Sequence, residues 1–363
     1  MLTSIEIENY RSFKKYRLRG LARVNLLVGD NGCGKTSVLE ALQIIGSGGD
    51  PYVLGRIAMQ RGEVVIKGGN TEGEGLRRDP LATHFFHGHQ FDLGAFFRVA
   101  AEADAGDIRF QVVPRKSHTG PALLYGEWDE VPESSLALEA AGASNPISAM
   151  GFPVTREGSF SFRALRAAEP HIGSPAYVPV EPQFVAPERV TPRSVADMWS
   201  RAIVAAREPE LVEALRIVDK RLSSLVFLGG DEDRVVVALE GIAGRVPLGS
   251  LGGGMKRMLP LALSLIDNQS SMLLVDEIET GLHYSVMGDL WRLVTETAKK
   301  RNIQVFAATH SLDCIRGLAW LCANYPDLGK EVSIQKIHPA LEQAVALDAE
   351  GIQITTAQEI EVR

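Results

Sequence analysis

A chain of 363 residues, 45% hydrophobic and 23% charged, has the balance of an ordinary globular protein and the length for two or three lobes with a sizeable core. Its 45 acidic residues against 38 basic ones give a formal charge of −7, which argues against non-specific coating of nucleic acid while allowing a local basic groove. No stretch reaches the ~20 apolar residues of a membrane span, and the opening MLTSIEIENYRSF lacks the charged-then-apolar run of a signal peptide. Cys33, Cys314 and Cys322 form neither a disulfide framework nor a paired metal spacing, so the expectation is a cytoplasmic protein with reduced thiols and no membrane partner.

In chain order, Ser4–Asn9 alternates Ile5, Glu6, Ile7, Glu8 as a half-buried strand does. Val24–Val28 is a short apolar run leading straight into residues 29–36, GDNGCGKT. Ser37–Ile45 then has helical spacing, with Val38, Leu39, Leu42 and Ile45 facing inward. Residues 46–80 are rich in glycine and charge and read as exposed connection, with one strand at Glu63–Lys67. Further strands are predicted at Ile108–Val113 and Leu123–Trp128. From Val131 to Pro192 the pattern weakens to an Ala/Ser/Glu-rich and then proline-rich stretch, an insertion whose fold the pattern leaves open.

Organisation returns at Ser194–Leu225, where Val195, Met198, Ile203, Val204, Leu211, Leu215, Ile217 and Leu222 recur at the spacing of two helices. A strand at Arg234–Leu239 and a glycine-opened helix at Gly254–Ile266 follow. Met272–Val275 is a buried strand ending in Asp276-Glu277, Tyr284–Ala298 a long helix, and Gln304–Ala308 a second buried strand ending in Thr309-His310. Strands alternating with helices predict an α/β fold with a largely parallel sheet covered on both faces. The expected division is an N-terminal lobe with the glycine loop at 1–130, an insertion at 131–193, and a C-terminal lobe at 194–363.

Strand, glycine loop and helix in that order are what a phosphate-binding P-loop requires. Gly29, Gly32 and Gly34 let the backbone turn tightly enough to aim successive N–H groups at nucleotide phosphates, and the helix adds its positive end. Lys35 supplies a point charge, the Thr36 hydroxyl is placed to ligate Mg²⁺, and Asn31, Cys33 and Ser37 complete the cradle. Cys33 reads as a small residue tolerated by the turn. The second element is Met272–Glu277: an apolar strand brings Asp276 to the sheet edge, suited to holding Mg²⁺, with Glu277 suited to polarising the attacking water. Asp-Glu after apolar residues is common at strand ends, and the pair becomes informative beside the P-loop.

The third element is residues 251–257, LGGGMKR, one helix and a turn before Asp276. Gly252, Gly253 and Gly254 would expose unpaired N–H groups as a second phosphate site, and with one P-loop per chain that site must serve a nucleotide held by another copy. The fourth is His310, which at a strand end can hydrogen-bond a γ-phosphate. Two other features are weighed down. The HFFHGH run (His84, His87, His89) has no acidic or cysteine partner nearby, and Lys256-Arg257 reads as a solvated helix face.

P-loop, LGGG, LLVDEIETGLH and ATHS in this order resemble the ABC-type ATPases of the RecF, SMC and OLD group. The run DEIETGLH at 276–283, with IENYRSFKKY near the start and IEVR at the end, is most similar to stand-alone OLD-like AAA family ATPases. The resemblance covers 1–45 and 194–363 and is poor between about 70 and 190. It implies a P-loop NTPase fold of ABC-ATPase type, with a mixed sheet, helices on both faces and an inserted subdomain. It also implies that Arg11 contacts nucleotide phosphates, Gly29–Thr36 bind ATP and Mg²⁺, Asp276 holds the metal, Glu277 is the base and His310 the switch. Two chains would sandwich two ATP molecules, each between one P-loop and the Ser250–Gly254 segment of the other chain, with Thr280–His283 crossing the interface.

The signature departs from the usual pattern: Gly252 and Met255 stand where a serine and a Glu or Gln are common, and Ser250 lies two residues early. Gln90 is a weak candidate for a glutamine-loop residue. The stretch after His310 lacks a DxD pair and is short for a nuclease domain of typical size, so nuclease activity is not expected in it. The resulting expectation is an ATPase that dimerises on ATP and controls a separate effector such as a nuclease or toxin, in DNA-associated or anti-phage defence work. The alternatives are a RecF-like ATP-gated DNA-binding protein and a non-hydrolysing ATP-bound scaffold.

Overall fold

The computed structural model describes residues 1–67, 76–102, 106–114, 136–144, 148–149, 151–163, 165, 182–185, 191–228 and 234–358. The alternation at the start becomes β1 (Ser4–Tyr10), paired with β2 (Phe13–Arg19) in a hairpin. β3 (Val24–Val28) runs into the glycine loop and α1 (Lys35–Gly46). Residues expected as exposed connection contain α2 (Pro51–Arg61), whose N-cap Asp50 accepts a hydrogen bond from the Tyr52 amide with Pro51 in the first turn, a strong local start signal. β4 (Val64–Lys67) and β5 (Arg77–Pro80) pair as a small hairpin.

β6 (Phe96–Ala101), β7 (Asp107–Pro114), β8 (Leu136–Ala141) and β9 (Phe152–Val154) join the first hairpin in an antiparallel sheet of order β2-β1-β6-β7-β8-β9. Part of the stretch read as an insertion thus extends this sheet. The strand expected at Leu123–Trp128 and the terminal IEVR lie outside the described residues.

β10 (Gln183–Val185) precedes α3 (Pro192–Val204) and α4 (Glu208–Leu215), the two helices predicted from spacing. Leu222, grouped with them by its spacing, instead opens β11 (Leu222–Leu228), where its neighbours Leu225, Val226 and Phe227 favour a strand. β11, β12 (Arg234–Leu239) and β13 (Arg245–Pro247) form a three-stranded antiparallel sheet leading to α5 (Gly253–Asp267). β14 (Met272–Val275), α6 (Met287–Arg301), β15 (Gln304–Ala308), α7 (Leu312–Asn324), β16 (Val332–Lys336) and β17 (Val345–Leu347) follow. Tyr284–Val286, expected as the start of the long helix, is a separate 3₁₀ turn.

The central sheet has the order β10-β14-β15-β3-β16-β17, parallel except for β17. Its middle strands are buried on both faces, and side-chain alternation divides them between two cores. Val24, Leu26, Val28, Leu273, Val275, Val305 and Ala307 pack with α3–α7. Leu27, Leu274, Phe306 and Ala308 pack with α1, and beyond it with Ile5, Ile7, Phe97 and Phe110 of the antiparallel sheet. Each such large side chain contributes about 1.5–3 kcal/mol on burial. α1 is therefore clamped between two sheets, while α5 lies on the other side of the parallel one. No helix among the described residues is long and apolar enough to cross a membrane.

Candidate active site

β14, β15 and β3 are adjacent and parallel, pairing Val275 with Ala307 and Ala308 with Leu27. The loops after these strands therefore leave the sheet side by side at its carboxyl edge, where open α/β sheets place their ligands. The loop after β3 is shaped by close approaches. A Cβ on Gly29 would lie 2.4 Å from the Ile337 carbonyl oxygen. Gly34 combines a φ of +105° with the Phe13 ring, which a Cβ would meet at 2.4 Å. The Cys33 amide donates to Asp30 O at 3.2 Å, and α1 begins with the Val38 amide donating to Gly34 O at 3.0 Å. The Cys33 side chain is buried against Gly29, and burial pushes its thiol pKa up against the pull of Lys35. Asn31 and Gly32 are exposed at the tip and Ser37 is buried behind it.

Lys35 folds over the loop, its Nζ donating to Gly29 O at 2.7 Å and Asp30 O at 2.9 Å. Next to it the Thr36 hydroxyl donates to Asp276 Oδ2 at 2.9 Å, tying the start of α1 to the end of β14. The Asp276 amide donates to Val185 O at 3.0 Å. Glu277 has a left-handed backbone, φ +48°, that costs about 1 kcal/mol or more for such a residue. The turn is held by the Ile278 amide donating to Ala308 O at 3.2 Å and by the Thr280 hydroxyl donating to Glu277 Oε2 at 3.1 Å. At the end of β15 the Thr309 amide donates to Leu27 O at 3.1 Å, and the exposed His310 donates its amide to Glu279 Oε1 at 3.3 Å.

The glycine segment opens α5, on the face of the parallel sheet opposite α1. Leu248–Leu251 form a 3₁₀ turn that carries exposed Ser250, and Gly252 leads into α5. A Cβ at Gly249, Gly252 or Gly253 meets no atom of the described residues within 4 Å, whereas one at Gly254 would touch Val286 at 3.4 Å. Met255, in the slot where a Glu or Gln is common, is 1% exposed and points into the core. Arg257 lies over Gly281 of the loop after β14, with Nε 2.7 Å from where a Cβ would be.

Arg11 is already engaged. Its Nε pairs with Glu40 at 2.6 Å, and its terminal nitrogens hold Glu63 at 2.7 and 3.1 Å. A contact from Arg11 to phosphate would have to compete with the buried Glu40 and half-buried Glu63 carboxylates. Arg61 shares Glu40 at 2.5 Å, and His87 Nδ1 lies 2.8 Å from Arg11 O. His84 and His89 meet edge to face, and Gln90 is exposed just beyond them. Sequence reasoning missed Glu40, Glu63 and Phe13, which gain their partners only through tertiary packing. It also passed over Glu279, which was visible within DEIETGLH.

Two family models match the chain: "AAA ATPase domain" over residues 1–67, and "AAA domain, putative AbiEii toxin, Type IV TA system" over residues 187–313. An ATP/GTP phosphatase of Helicobacter pylori (strain ATCC 700392 / 26695) is 22% identical over 341 residues, 87% of this chain and 86% of that protein. The DNA replication and repair protein RecF of Clostridioides difficile (strain 630) is 43% identical over 47 residues, 13% of each chain. A solved Smc head bound to the C-winged helix domain of ScpA has the same fold over 99% of both chains, with a TM-score of 0.50 at 15% identity. The glycine loop on β3, the Asp-Glu strand end beside it and the AAA-type matches at 1–67 and 187–313 make the chain an ATPase with AAA-type domains, on a P-loop fold of the ABC type that it shares with an Smc head.

Proposed function

We propose that this ATPase works as a cytoplasmic homodimer, with ATP held between the P-loop of one copy and the glycine segment of the other, and that closure controls a separate effector protein. The observation that carries the reading is the placement of α1 and α5 on opposite faces of the central sheet, with the glycines before α5 uncovered. A nucleotide seated at the head of α1 fills half a site, and backbone N–H groups at the head of another α5 suit the exposed side of its phosphates.

The contacts support a role for each residue. Lys35 exchanges the carbonyls of Gly29 and Asp30 for phosphate oxygens. The Thr36 hydroxyl and Asp276 carboxylate, 2.9 Å apart, are hard oxygen donors that fit Mg²⁺. When bound, the ion neutralises charge on the phosphates. Glu277, oriented by Thr280, accepts the proton of the water that attacks the γ-phosphorus, and His310 donates to a γ-phosphate oxygen. The products are ADP and phosphate, and their loss opens the dimer, because the closed state is favoured only by ligands that bind it more tightly.

An effector of nuclease or toxin type in anti-phage defence agrees with the toxin-linked family matched at 187–313. A RecF-like grip on DNA is the alternative, supported by the 47-residue match to a RecF protein. The test is Glu277→Gln. Turnover should fall about 10²-fold or more, while light scattering shows a dimer with ATP and a monomer without it. Pull-down from the native host with the trapped dimer should recover the effector. Wild-type turnover in the variant, or monomers in every nucleotide state, would sink the proposal. Duplex DNA retained strictly with ATP, and lost as salt rises, would move the reading to the RecF-like alternative.

A further inference from the structure

Glu279 is the second glutamate of the loop after β14, and the hydrolysis chemistry leaves it idle. One of its oxygens, Oε1, accepts the His310 amide at 3.3 Å. The other, Oε2, is shielded from solvent and has no hydrogen-bond partner among the described residues. A shielded carboxylate oxygen without a donor costs free energy, on the order of 1–3 kcal/mol, so the surrounding contacts must hold it there.

Those contacts are present. The Leu282 amide donates to Glu279 O at 2.9 Å, and the Thr280 amide to Glu277 O at 3.0 Å, making two overlapping turns. Ile278 is buried and anchored to the end of β15. The carboxylate also lies toward the start of α7, where the helix end favours negative charge. Cys314 in that first turn is close enough that Glu279 adds to the effect of burial in pushing its thiol up. The loop thus spends a charged side chain on the strand end that presents His310.

We propose that Glu279 is a positioning residue for His310: one oxygen fixes the main chain at His310, and the unpartnered one receives an imidazole N–H when the ring turns toward the nucleotide. A histidine that donates one ring N–H to a carboxylate has its tautomer and orientation set for work at the other nitrogen. The inference rests on the proposed role of His310 at the γ-phosphate. It concerns a side chain distinct from the proposed base, Glu277, which is held by Thr280.

The experiment is a double-mutant cycle of steady-state ATP turnover and ATP affinity on the full chain: wild type, Glu279→Ala, His310→Ala and both together. Glu279→Ala should lower kcat about tenfold, the scale of losing an orienting partner, with ATP affinity unchanged. It should cause no further loss when His310 is already alanine. Glu279→Gln, which keeps an acceptor for the His310 amide, should lie between wild type and Glu279→Ala, and it replaces the alanine in the cycle if that variant does not fold. Losses that multiply in the double variant, or a change in KM with kcat untouched, would overturn the role of Glu279. If His310→Ala turns over ATP like wild type, the role of His310 falls and that of Glu279 with it. An impaired His310→Ala beside an indifferent Glu279→Gln removes Glu279 alone.

Discussion

At Gly34 two independent constraints meet, and their separation gives a stability prediction. The φ of +105° disfavours any side chain, and the Phe13 ring occupies the space a Cβ would need. Phe13 has little freedom to yield, because it is buried and stacked on Tyr16 with ring centroids 4.7 Å apart. Gly34→Ala should therefore cost about 1–2 kcal/mol for the backbone and about 1–3 kcal/mol more for overpacking. Denaturant unfolding measures the sum. In a Phe13→Leu background, where the ring is already gone, Gly34→Ala should cost only the first part; no cost there would show that the backbone conformation costs nothing. Gly32, with φ +77° and no described atom within 4 Å of a Cβ, isolates the backbone part.

Among the elements, those with one clear cause were legible in the sequence. β3, β14 and β15 are short apolar runs because both their faces are covered, and their carboxyl ends carry the residues singled out as chemistry. α2 was hidden between glycine-rich neighbours although Asp50-Pro51 marks its start, and Leu222 shared a helical spacing by coincidence. The Arg11 cluster was illegible for a different reason: Glu40 and Glu63 reach Arg11 only after α1 and α2 dock against the first hairpin. The head of α5 offers a test of function free of folding effects. Gly253 is helical, without a positive φ, and a Cβ there meets no described atom, so Gly253→Ala should hold or raise the unfolding free energy, by up to about 1 kcal/mol of helix propensity. If another chain's phosphates pack on this backbone, the same methyl group should abolish ATP-dependent dimerisation and turnover. A variant that still hydrolyses ATP at the wild-type rate would remove Gly253 from the site.

At the scale of the whole molecule, the decisive question is whether the two half-sites act within one chain or between two. α1 and α5 lie on opposite faces of a buried sheet, so the two proposed half-sites belong to different faces of one chain. In the proposed dimer, a second copy related by a two-fold axis would bring them together, and the symmetry would create two equal sites. This predicts complementation between two inactive proteins. Lys35→Ala removes the cation that otherwise rests on Gly29 and Asp30 and leaves the glycine segment intact, whereas Gly253→Ala blocks that segment and leaves the P-loop intact. Each alone should be silent. Mixed in equal amounts, half the dimers are heterodimers with one complete site of the two, so turnover should return to about a quarter of the wild-type rate. The restored rate should fall on dilution as the dimers dissociate, which a contaminating ATPase would not do. A mixture as silent as its components, under conditions where wild type dimerises, would mean that each P-loop works with elements of its own chain.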